Sequence, residues 1–426
     1  MPIMPSRRDP PRSSEMASRV PAVSARNIVP LRPLSVLIAV PTLDAGAADY
    51  GALEAARILA GAGHQPIVVS GGGRLTKDVL GAGGELIRLD IASRNPLTMA
   101  RNSAALIRIA RERRCDVLHA HGRAPAWCAY IAARRTGLPF LTSWYKGFRE
   151  QNLFKHVYNG VMARGARVIA ASEQIAQLIN DRHGTPWERI RVIPGSIDFE
   201  RFDLARMTPE RIEAVRTGWG VGPQTKIIVV VGRMLRRKGH HVMVRAVERL
   251  KARGLKDFLC VFIGEDRGQT QYTGELWDLV LSTGTAGVIR MGRACDDLPA
   301  AYAAASVVVS AAVQPEGMQR AILEAQAMAR PVIVSELGAG ADVVLSPPRV
   351  PEHQITGLRF ATDDDGALAD TLLHLFSMPE ATRNAVGARG RDWVSGHFSR
   401  QAVAEQLLGV YAELAAGNPG RPGKLA

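Results

Sequence analysis

Two short segments carry charged side chains at spacings suited to binding a phosphorylated sugar. Glu316 and Glu324 stand eight positions apart in the segment EGMQRAILE, which follows an apolar run and spans the start of a predicted helix. Arg233 and Lys238 stand in the segment GRMLRRKG, directly after another apolar run. Carboxylates accept hydrogen bonds from sugar hydroxyls, and Arg and Lys bind phosphates. Together the two segments predict a nucleotide-sugar site.

The cationic segment is framed by two glycines. Gly232 and Gly239 let the backbone approach a ligand closely. A helix is predicted to follow, and the free amides and dipole at a helix start favour an anion. Taken alone, the loop is better explained as a solvated basic turn. We interpret Arg236 and Arg237 in this way. Its spacing is not that of a Walker loop.

The acidic pair also has a simpler explanation. Glu316 can complement the dipole of the following helix while Glu324 lies in solvent. Ala325, Ala327 and Met328 weaken that explanation, because they make the helix look buried and an unpaired buried carboxylate is costly.

The rest of the chain predicts the elements that would position these residues. From Ser35 to about Ile193, short β-branched runs alternate with longer helical stretches, and the alternation resumes at Lys226. This pattern predicts an α/β protein with two tandem Rossmann-like domains. Ligands of parallel sheets bind at the carboxyl ends of the strands, so we expect the site in a central cleft that the two domains face.

The composition predicts five parts. They are a disordered basic tail (1–33), an N-terminal Rossmann-like domain (34–200), a linker (201–225), a C-terminal Rossmann-like domain (226–395) and a helix that packs across the domain junction (396–415). The tail lacks the apolar run of a signal peptide, and no segment approaches the roughly 20 apolar residues that span a bilayer. We expect a cytoplasmic protein, with peripheral contact to the inner face of the plasma membrane left open.

The net charge of +14 over 426 residues favours an anionic partner, which is a phosphorylated substrate, an acidic membrane surface or nucleic acid. A GC-biased, arginine-rich genome explains much of that charge. Aromatic residues make up only 5% of the chain, too few to favour binding of single strands by base stacking. The four cysteines lack metal-ligand spacing and are expected to be reduced core residues. Acidic clusters at 295–299 and 363–366 are interpreted as helix starts, so no metal is predicted.

The two charged segments together resemble the retaining glycosyltransferases of family four. The resemblance covers nearly the whole chain after the tail. It implies the two-domain GT-B architecture, with an acceptor domain at 34–200 and a nucleotide-sugar donor domain at 226–395. Two further segments, RAPAWCAYIAARRTGLPF and VYNGVMARGARVIAASE, are similar to bacterial members that act on lipopolysaccharide or capsular polysaccharide. A nucleotide-diphosphate sugar is then a co-substrate, no cofactor is expected, and the acceptor is a glycan or glycolipid hydroxyl.

The resemblance also implies residue roles. Arg233 and Lys238 would hold the diphosphate, Glu316 the donor sugar, and Glu324 the ribose hydroxyls. The backbone between the two glutamates would touch the sugar. The other residues expected to bind the donor are Gly46, Ala47, Gly232, Gly264, Gly317, Met318 and Gln319. The chain departs from the family where Met318 and Gln319 follow Gly317, where Ala47 replaces a glycine, and where Asp342 replaces a glutamate.

A histidine pair follows the predicted strand DVLHA. The second histidine of the family's HxH faces the sugar, which makes His121 a predicted catalytic residue, whereas His119 is expected to be a satisfied strand-end histidine. Arg123 and Lys155 are weaker candidates for an anionic acceptor. The stretch that contains Lys155 is equally well explained as an amphipathic surface helix or as a face resting on an anionic bilayer.

The predicted activity is transfer of a sugar from a nucleotide-diphosphate donor to a hydroxyl, with retention at the anomeric carbon and without a metal ion. Arg233 and Lys238 would stabilise the leaving diphosphate. An alternative is a nucleotide-sugar epimerase, which needs no acceptor. A basic nucleic-acid-binding protein is a third and weaker interpretation, because the chain has no zinc-finger or RNA-binding signature.

Overall fold

The computed structural model describes residues 32–44, 46–146, 153–266, 270–292, 295–314, 318–337 and 339–417. Within them the chain forms two compact units. Unit 1 takes the residues up to 171, residues 175–193 and the residues from 405 onward, whereas unit 2 takes residues 172–174 and 194–404. The α/β class is confirmed. The break between the units falls at Ile193–Pro194, seven residues before the predicted end of the N-terminal domain.

The described part of unit 1 contains a seven-stranded parallel sheet in the order β3-β2-β1-β4-β5-β6-β7. Its strands are β1 (Ser35–Ala39), β2 (Gln65–Ser70), β3 (Glu85–Arg88), β4 (Val117–Ala120), β5 (Phe140–Trp144), β6 (Arg167–Ala170) and β7 (Ile190–Val192). In the register, Leu37 of β1 lies opposite both Ile67 of β2 and Leu118 of β4. All three side chains are fully buried, as expected for a parallel sheet with helices on both faces.

Helices cover both faces of this sheet. They are α1 (Ala47–Gly61), α2 (Thr76–Gly81), α3 (Pro96–Glu112), α4 (Arg123–Thr136), α5 (Leu153–Gly160) and α6 (Glu173–His183). Local sequence fixes several ends. The side chain of Asn95 accepts hydrogen bonds from the first turn of α3, and Pro96 occupies the first helical position. Gly137 ends α4 in the left-handed conformation, with φ of 72°.

The described part of unit 2 contains a six-stranded parallel sheet in the order β10-β9-β8-β11-β12-β13. Its strands are β8 (Lys226–Val231), β9 (Phe258–Ile263), β10 (Ile289–Gly292), β11 (Val307–Ser310), β12 (Val332–Ser335) and β13 (Leu358–Phe360). The sequence pattern predicts all of these strands except β13. That strand has only three residues, too few for a periodic signal.

The helices of unit 2 pack on both faces of its sheet. They are α7 (Pro209–Trp219), α8 (His240–Ala252), α9 (Thr270–Ser282), α10 (Leu298–Ala304), α11 (Arg320–Ala327), α12 (Ala339–Val343), α13 (Asp365–Ser377) and α14 (Glu380–Phe398). Asp297 caps α10 and Asp364 caps α13, each through a carboxylate that accepts a backbone N–H. The interpretation of both acidic clusters as helix starts is therefore confirmed.

The predicted linker is part of unit 2. Phe202 is only 2% exposed and packs edge-on against Tyr302, with 6.0 Å between the ring centroids. Arg211 on α7 pairs with Asp297 at 2.8 Å. Residues 201–225 therefore contribute to the core and surface of unit 2, and their polar composition concealed the one buried face.

The two ends of the described chain also differ from prediction. Arg32, placed in the predicted tail, forms an ion pair with the buried Asp116 at the start of β4. Residues 1–31 lie outside the described residues. The last helix, α15 (Arg400–Ala416), begins in unit 2 and belongs to unit 1 from Glu405 onward. None of the described helices has the length and hydropathy needed to cross a membrane.

Candidate functional site

The order of each sheet defines where a ligand is expected. In unit 1 the chain runs outward from β1 to β2 and then returns to add β4 on the other side of β1. In unit 2, β8 is flanked in the same way by β9 and β11. Such switch points open a crevice at the carboxyl ends of the central strands.

His121 lies at the edge of unit 1. It follows β4, is only 1% exposed, and its Nδ1 lies 2.9 Å from the phenol oxygen of Tyr145, the residue after β5. Burial lowers the pKa of His121 to about 3, so its ring is neutral at physiological pH. Burial raises the pKa of the Tyr145 phenol, which is therefore protonated. If that phenol donates to Nδ1, the remaining ring proton lies on Nε2.

The Nε2 atom of His121 is buried and has no hydrogen-bond partner in the described part of the chain. A buried polar atom without a partner is costly, which is a reason to expect that a ligand completes it. A substitution at Gly51 would interfere with this arrangement, since a Cβ there would lie 1.9 Å from the Tyr145 oxygen. Sequence reasoning included Tyr145 only in an aromatic-basic stretch and missed Gly51.

His119 is satisfied within the protein. Its Nδ1 lies 2.7 Å from the phenol oxygen of Tyr411 on α15, and its Nε2 lies 2.8 Å from the hydroxyl of Ser143 on β5. The prediction of a satisfied strand-end histidine is confirmed. The rings of His119 and His121 are 4.1 Å apart between centroids, so the first histidine supports the second.

The loop after β1 is organised by Asp49 on α1. This carboxylate is 5% exposed and accepts hydrogen bonds from the backbone N–H of Gly46 at 2.8 Å and of Asp44 at 3.1 Å. Thr42 adds a third donor at 3.2 Å. Gly46 has an ordinary extended conformation, and Ala47 is the first residue of α1. The signal for Asp49 was an acidic residue three positions after a predicted turn.

The two weaker acceptor candidates lie on neighbouring helices of unit 1. Arg123 begins α4, donates to the side chain of Asn159 at 3.0 Å, and lies 5.8 Å from the ring centroid of Tyr158. Lys155 is an exposed residue of α5. Arg123 is therefore held by α5, and its role towards an acceptor stays a prediction.

Three of the predicted donor-binding residues, Gly232, Lys238 and Gly264, lie together with Gly239 at the edge of unit 2. A Cβ on Gly264, after β9, would lie 2.0 Å from the carbonyl oxygen of Gly232, after β8. A Cβ on Gly232 would lie 3.7 Å from Nζ of Lys238. Gly239 has φ of 71°, and a Cβ there would lie 1.7 Å from the carbonyl oxygen of Ala311, after β11. Glycine is therefore required at 239 and 264 for these loops to pack this closely, whereas a Cβ at 232 would make ordinary contacts.

The cations of this loop differ in their surroundings. Arg233 is exposed and has no hydrogen bond or ion pair within the described residues. Arg236 pairs with Glu275 and lies 5.3 Å from the ring centroid of Tyr272, which confirms its interpretation as a structural surface residue. Lys238 ends the 3-10 turn that precedes α8, directly before Gly239. Arg233 and Lys238 thus offer positive charge at the switch point.

His240 is a residue that sequence reasoning missed. It is the first residue of α8, is fully buried, and packs edge-on against Phe262 at 5.2 Å between ring centroids. Burial, together with the charge of Lys238, lowers its pKa to about 3. Because its ring is neutral, His240 adds no charge to the cationic loop. The signal available in the sequence was a histidine directly after the Lys-Gly pair.

Glu324 has partners inside unit 2. It is 8% exposed on α11, and its Oε2 accepts a hydrogen bond from the phenol of the fully buried Tyr302 at 3.0 Å. Its Oε1 lies 3.5 Å from Nε of Arg320. Burial raises the pKa of Glu324, and these two partners counteract that effect. The carboxylate is therefore compensated, although its predicted role towards ribose stays a prediction.

Gln319 and Met318 precede α11. The side chain of Gln319 is 5% exposed and lies against α12, since a Cβ on Gly340 would be 3.0 Å from its amide nitrogen. It is thus packed against protein. Glu316 and Gly317 lie outside the described residues, so the predicted relationship between Glu316 and Glu324 stays a prediction. Among the described residues, no group of three or more His, Cys, Asp or Glu side chains is arranged to hold a metal ion.

Two family models match the chain in succession. The model for Glycosyltransferase Family 4 matches residues 49–201, and the model for Glycosyl transferases group 1 matches residues 225–378. The first match falls in the half that contains His121, and the second in the half that contains Lys238. Together they cover most of the described chain.

Known proteins agree with these matches. A D-inositol 3-phosphate glycosyltransferase of Salinispora arenicola is 26% identical over 327 residues, which cover 71% of this chain and 69% of that protein. The crystal structure of a glycosyltransferase from Rickettsia africae superposes with a TM-score of 0.81 at 27% identity, covering 90% of this chain and 99% of that one. Anabaena Alr3699/HepE, crystallised with UDP and glucose, shares the fold with a TM-score of 0.71 at 17% identity, covering 88% and 98%.

Proposed function

Because the chain belongs to glycosyltransferase family 4, we propose that it moves a sugar from a nucleotide-diphosphate donor to a hydroxyl of a glycan or glycolipid, with retention at the anomeric carbon. The acceptor that we propose is a lipopolysaccharide core or a related bacterial glycan. The observation that carries the proposal is the meeting of Gly232, Lys238, Gly239 and Gly264 at the switch point of unit 2. This arrangement suits a diphosphate.

The positive charge of this loop supports a role in binding the donor diphosphate. Negative charge grows on the leaving diphosphate as the glycosidic bond breaks. Arg233, Lys238 and the first amides of α8 lie at that switch point and would stabilise the charge without a divalent ion. The titratable His240 beneath them is neutral, so the positive charge of the loop does not vary near neutral pH.

His121 would act on the sugar. If the Tyr145 phenol donates to Nδ1, the ring proton of His121 lies on Nε2, which can then donate to a sugar hydroxyl. Since the ring is neutral, it would orient the sugar and would not serve as a general acid. In this proposal the acceptor hydroxyl attacks from the face that the diphosphate leaves, the diphosphate takes its proton, and no carboxylate forms a covalent intermediate.

Thermal unfolding with a panel of nucleotide sugars would identify the donor. A true donor raises the thermal midpoint because it binds only the folded protein. Addition of a candidate acceptor to the best donor should then give a glycosylated product with the anomeric configuration of the donor. If no nucleotide sugar stabilises the protein, the proposal is wrong. Conversion of the donor sugar to its epimer in the absence of an acceptor would show that the protein is an epimerase and not a transferase.

A further inference from the structure

In addition to the cationic loop of unit 2, the protein has a basic region in unit 1, away from His121. A cavity of about 640 Å³ is lined by Arg164, Arg182, Arg189, His156, His183 and Tyr130, with three small or apolar residues. Among the residues that the structure describes, no carboxylate lines it. We propose that this cavity binds a phosphoryl group of a soluble metabolite or a phospholipid headgroup.

The cavity lies at the opposite edge of the sheet from His121. Arg182 and His183 end α6, and Arg164 and Arg189 precede β6 and β7. In a parallel βαβ unit, helix ends and strand starts meet at the amino edge of the sheet, whereas His121 follows β4 at the carboxyl edge. The cavity therefore lies at a different edge of this sheet from His121.

Two of its arginines are held in place by the protein. The guanidinium of Arg164 lies 5.4 Å from the ring centroid of Trp127 and 5.3 Å from that of Tyr130. Arg189 donates to the carbonyl oxygens of Ala163, at 3.1 Å, and Gly165. Within the described residues, neither arginine has a carboxylate partner. Preorganised guanidinium groups bind phosphate in two-point fashion and lose little side-chain entropy when they do so.

Charge and volume favour this class of ligand. Arg164 and Arg189 carry like charges at one cavity, and an anion between them would relieve their mutual repulsion. The volume lies within the range of small-molecule sites and exceeds that of a bare phosphate, so a phosphorylated molecule fits. Asp181, the residue before Arg182, does not line the cavity and accepts a hydrogen bond from Gln177 at 2.6 Å.

Two exposed apolar residues beside the cavity are a reason to test both a phospholipid and a soluble metabolite as the source of the phosphoryl group. Val157 lines the cavity and is 50% exposed, and Phe154, three residues earlier on α5, is 87% exposed. An apolar pair beside a basic cavity suits a lipid headgroup at a bilayer surface. A soluble phosphorylated metabolite needs only the cavity.

The first arm measures binding of inorganic phosphate to the full chain by calorimetry, in the unchanged protein, Arg164→Gln, Arg101→Gln and Lys238→Ala. Arg101 is exposed on α3 and does not line the cavity. We expect Arg164→Gln to weaken phosphate binding to the cavity at least tenfold and Arg101→Gln to preserve it, whereas Lys238→Ala should affect only phosphate bound at the proposed donor site. Loss of binding in Lys238→Ala alone would assign the phosphate to the proposed donor site and overturn the inference.

The second arm measures co-sedimentation with phosphatidylcholine vesicles, with and without phosphatidylglycerol. Binding that requires phosphatidylglycerol and falls in Arg164→Gln and Phe154→Ser, but not in Arg101→Gln, assigns a lipid headgroup. Phosphate binding without vesicle binding assigns a soluble ligand. An equal loss in Arg101→Gln indicates only diffuse charge, and binding of neither probe leaves the cavity without a ligand. Either result overturns the inference. Unchanged thermal midpoints would show that each variant is folded.

Discussion

The phenol oxygen of Tyr411 lies 2.7 Å from Nδ1 of His119, although the two residues are 292 positions apart in the chain. Both side chains are buried, and the His119 ring lies against that of His121. The last helix of the chain is thus connected to the predicted sugar-binding histidine by one hydrogen bond and one ring contact. Arg167 and Arg191 hold the same helix through Glu413.

Tyr411→Phe should therefore affect both stability and activity. Loss of one partner of a buried hydrogen bond costs about 1–2 kcal/mol of the free energy of unfolding, which thermal or denaturant unfolding would measure. Because His119 supports His121, we expect kcat to fall more than KM rises. The matched control is Tyr50→Phe, whose phenol is 47% exposed. A loss of stability with unchanged kcat would restrict Tyr411 to a structural role.

Lys238→Ala should slow sugar transfer. If the ammonium stabilises the leaving diphosphate, its removal costs about 2–4 kcal/mol of transition-state stabilisation, by analogy with the loss of one oxyanion donor. That corresponds to a decrease in kcat/KM of roughly 30- to 1,000-fold. Lys256→Ala removes an exposed lysine before β9, at the amino edge of the same sheet, and should leave kcat/KM unchanged. Equal activity in the two variants would contradict the phosphate assignment.

Gly239→Ala should destabilise the protein through its backbone. The added Cβ would meet the carbonyl oxygen of Ala311 at 1.7 Å, and φ of 71° is unfavourable for alanine. We expect a loss of more than about 2 kcal/mol in the free energy of unfolding. Gly218→Ala is the matched control, because a Cβ there meets nothing within 4 Å and the residue lies in α7. That substitution should stabilise by about 0.5–1 kcal/mol.

Asp342→Asn should stabilise the protein in a pH-dependent manner. Burial raises the pKa of Asp342 to about 6, and its Oδ2 is buried without a hydrogen-bond partner in the described part of the chain. Ionisation in the folded state is therefore unfavourable. The cost is absent below the unfolded pKa of about 4, develops as the pH rises towards 6, and is complete above it.

Chemical unfolding at two pH values measures this effect. The variant should match the unchanged protein near pH 4 and exceed its free energy of unfolding by about 1–3 kcal/mol at pH 7.5. Asp392→Asn, at an exposed position on α14, should give the same difference at both pH values. A pH-independent gain for Asp342→Asn would show that burial of the charge is not its cause.

The sequence by itself determined the class of fold, twelve of the thirteen described strands, and the loop that holds Gly232, Lys238 and Gly239. These features depend on local patterns, because β-branched runs form buried strands and a glycine beside a helix start marks a close approach. The role of residues 201–225 was not visible, since one buried phenylalanine in a polar segment carries little periodic signal.

Only the tertiary structure decided which side chains meet. His121 with Tyr145, His119 with Tyr411, and Glu324 with Tyr302 all join residues from different elements. The physical reason is that strand order, and not distance along the chain, determines which loops share an edge of a sheet. A tyrosine in a sequence looks the same whether its phenol faces solvent or completes a buried histidine or carboxylate, and the packing of helices onto the sheet decides between them.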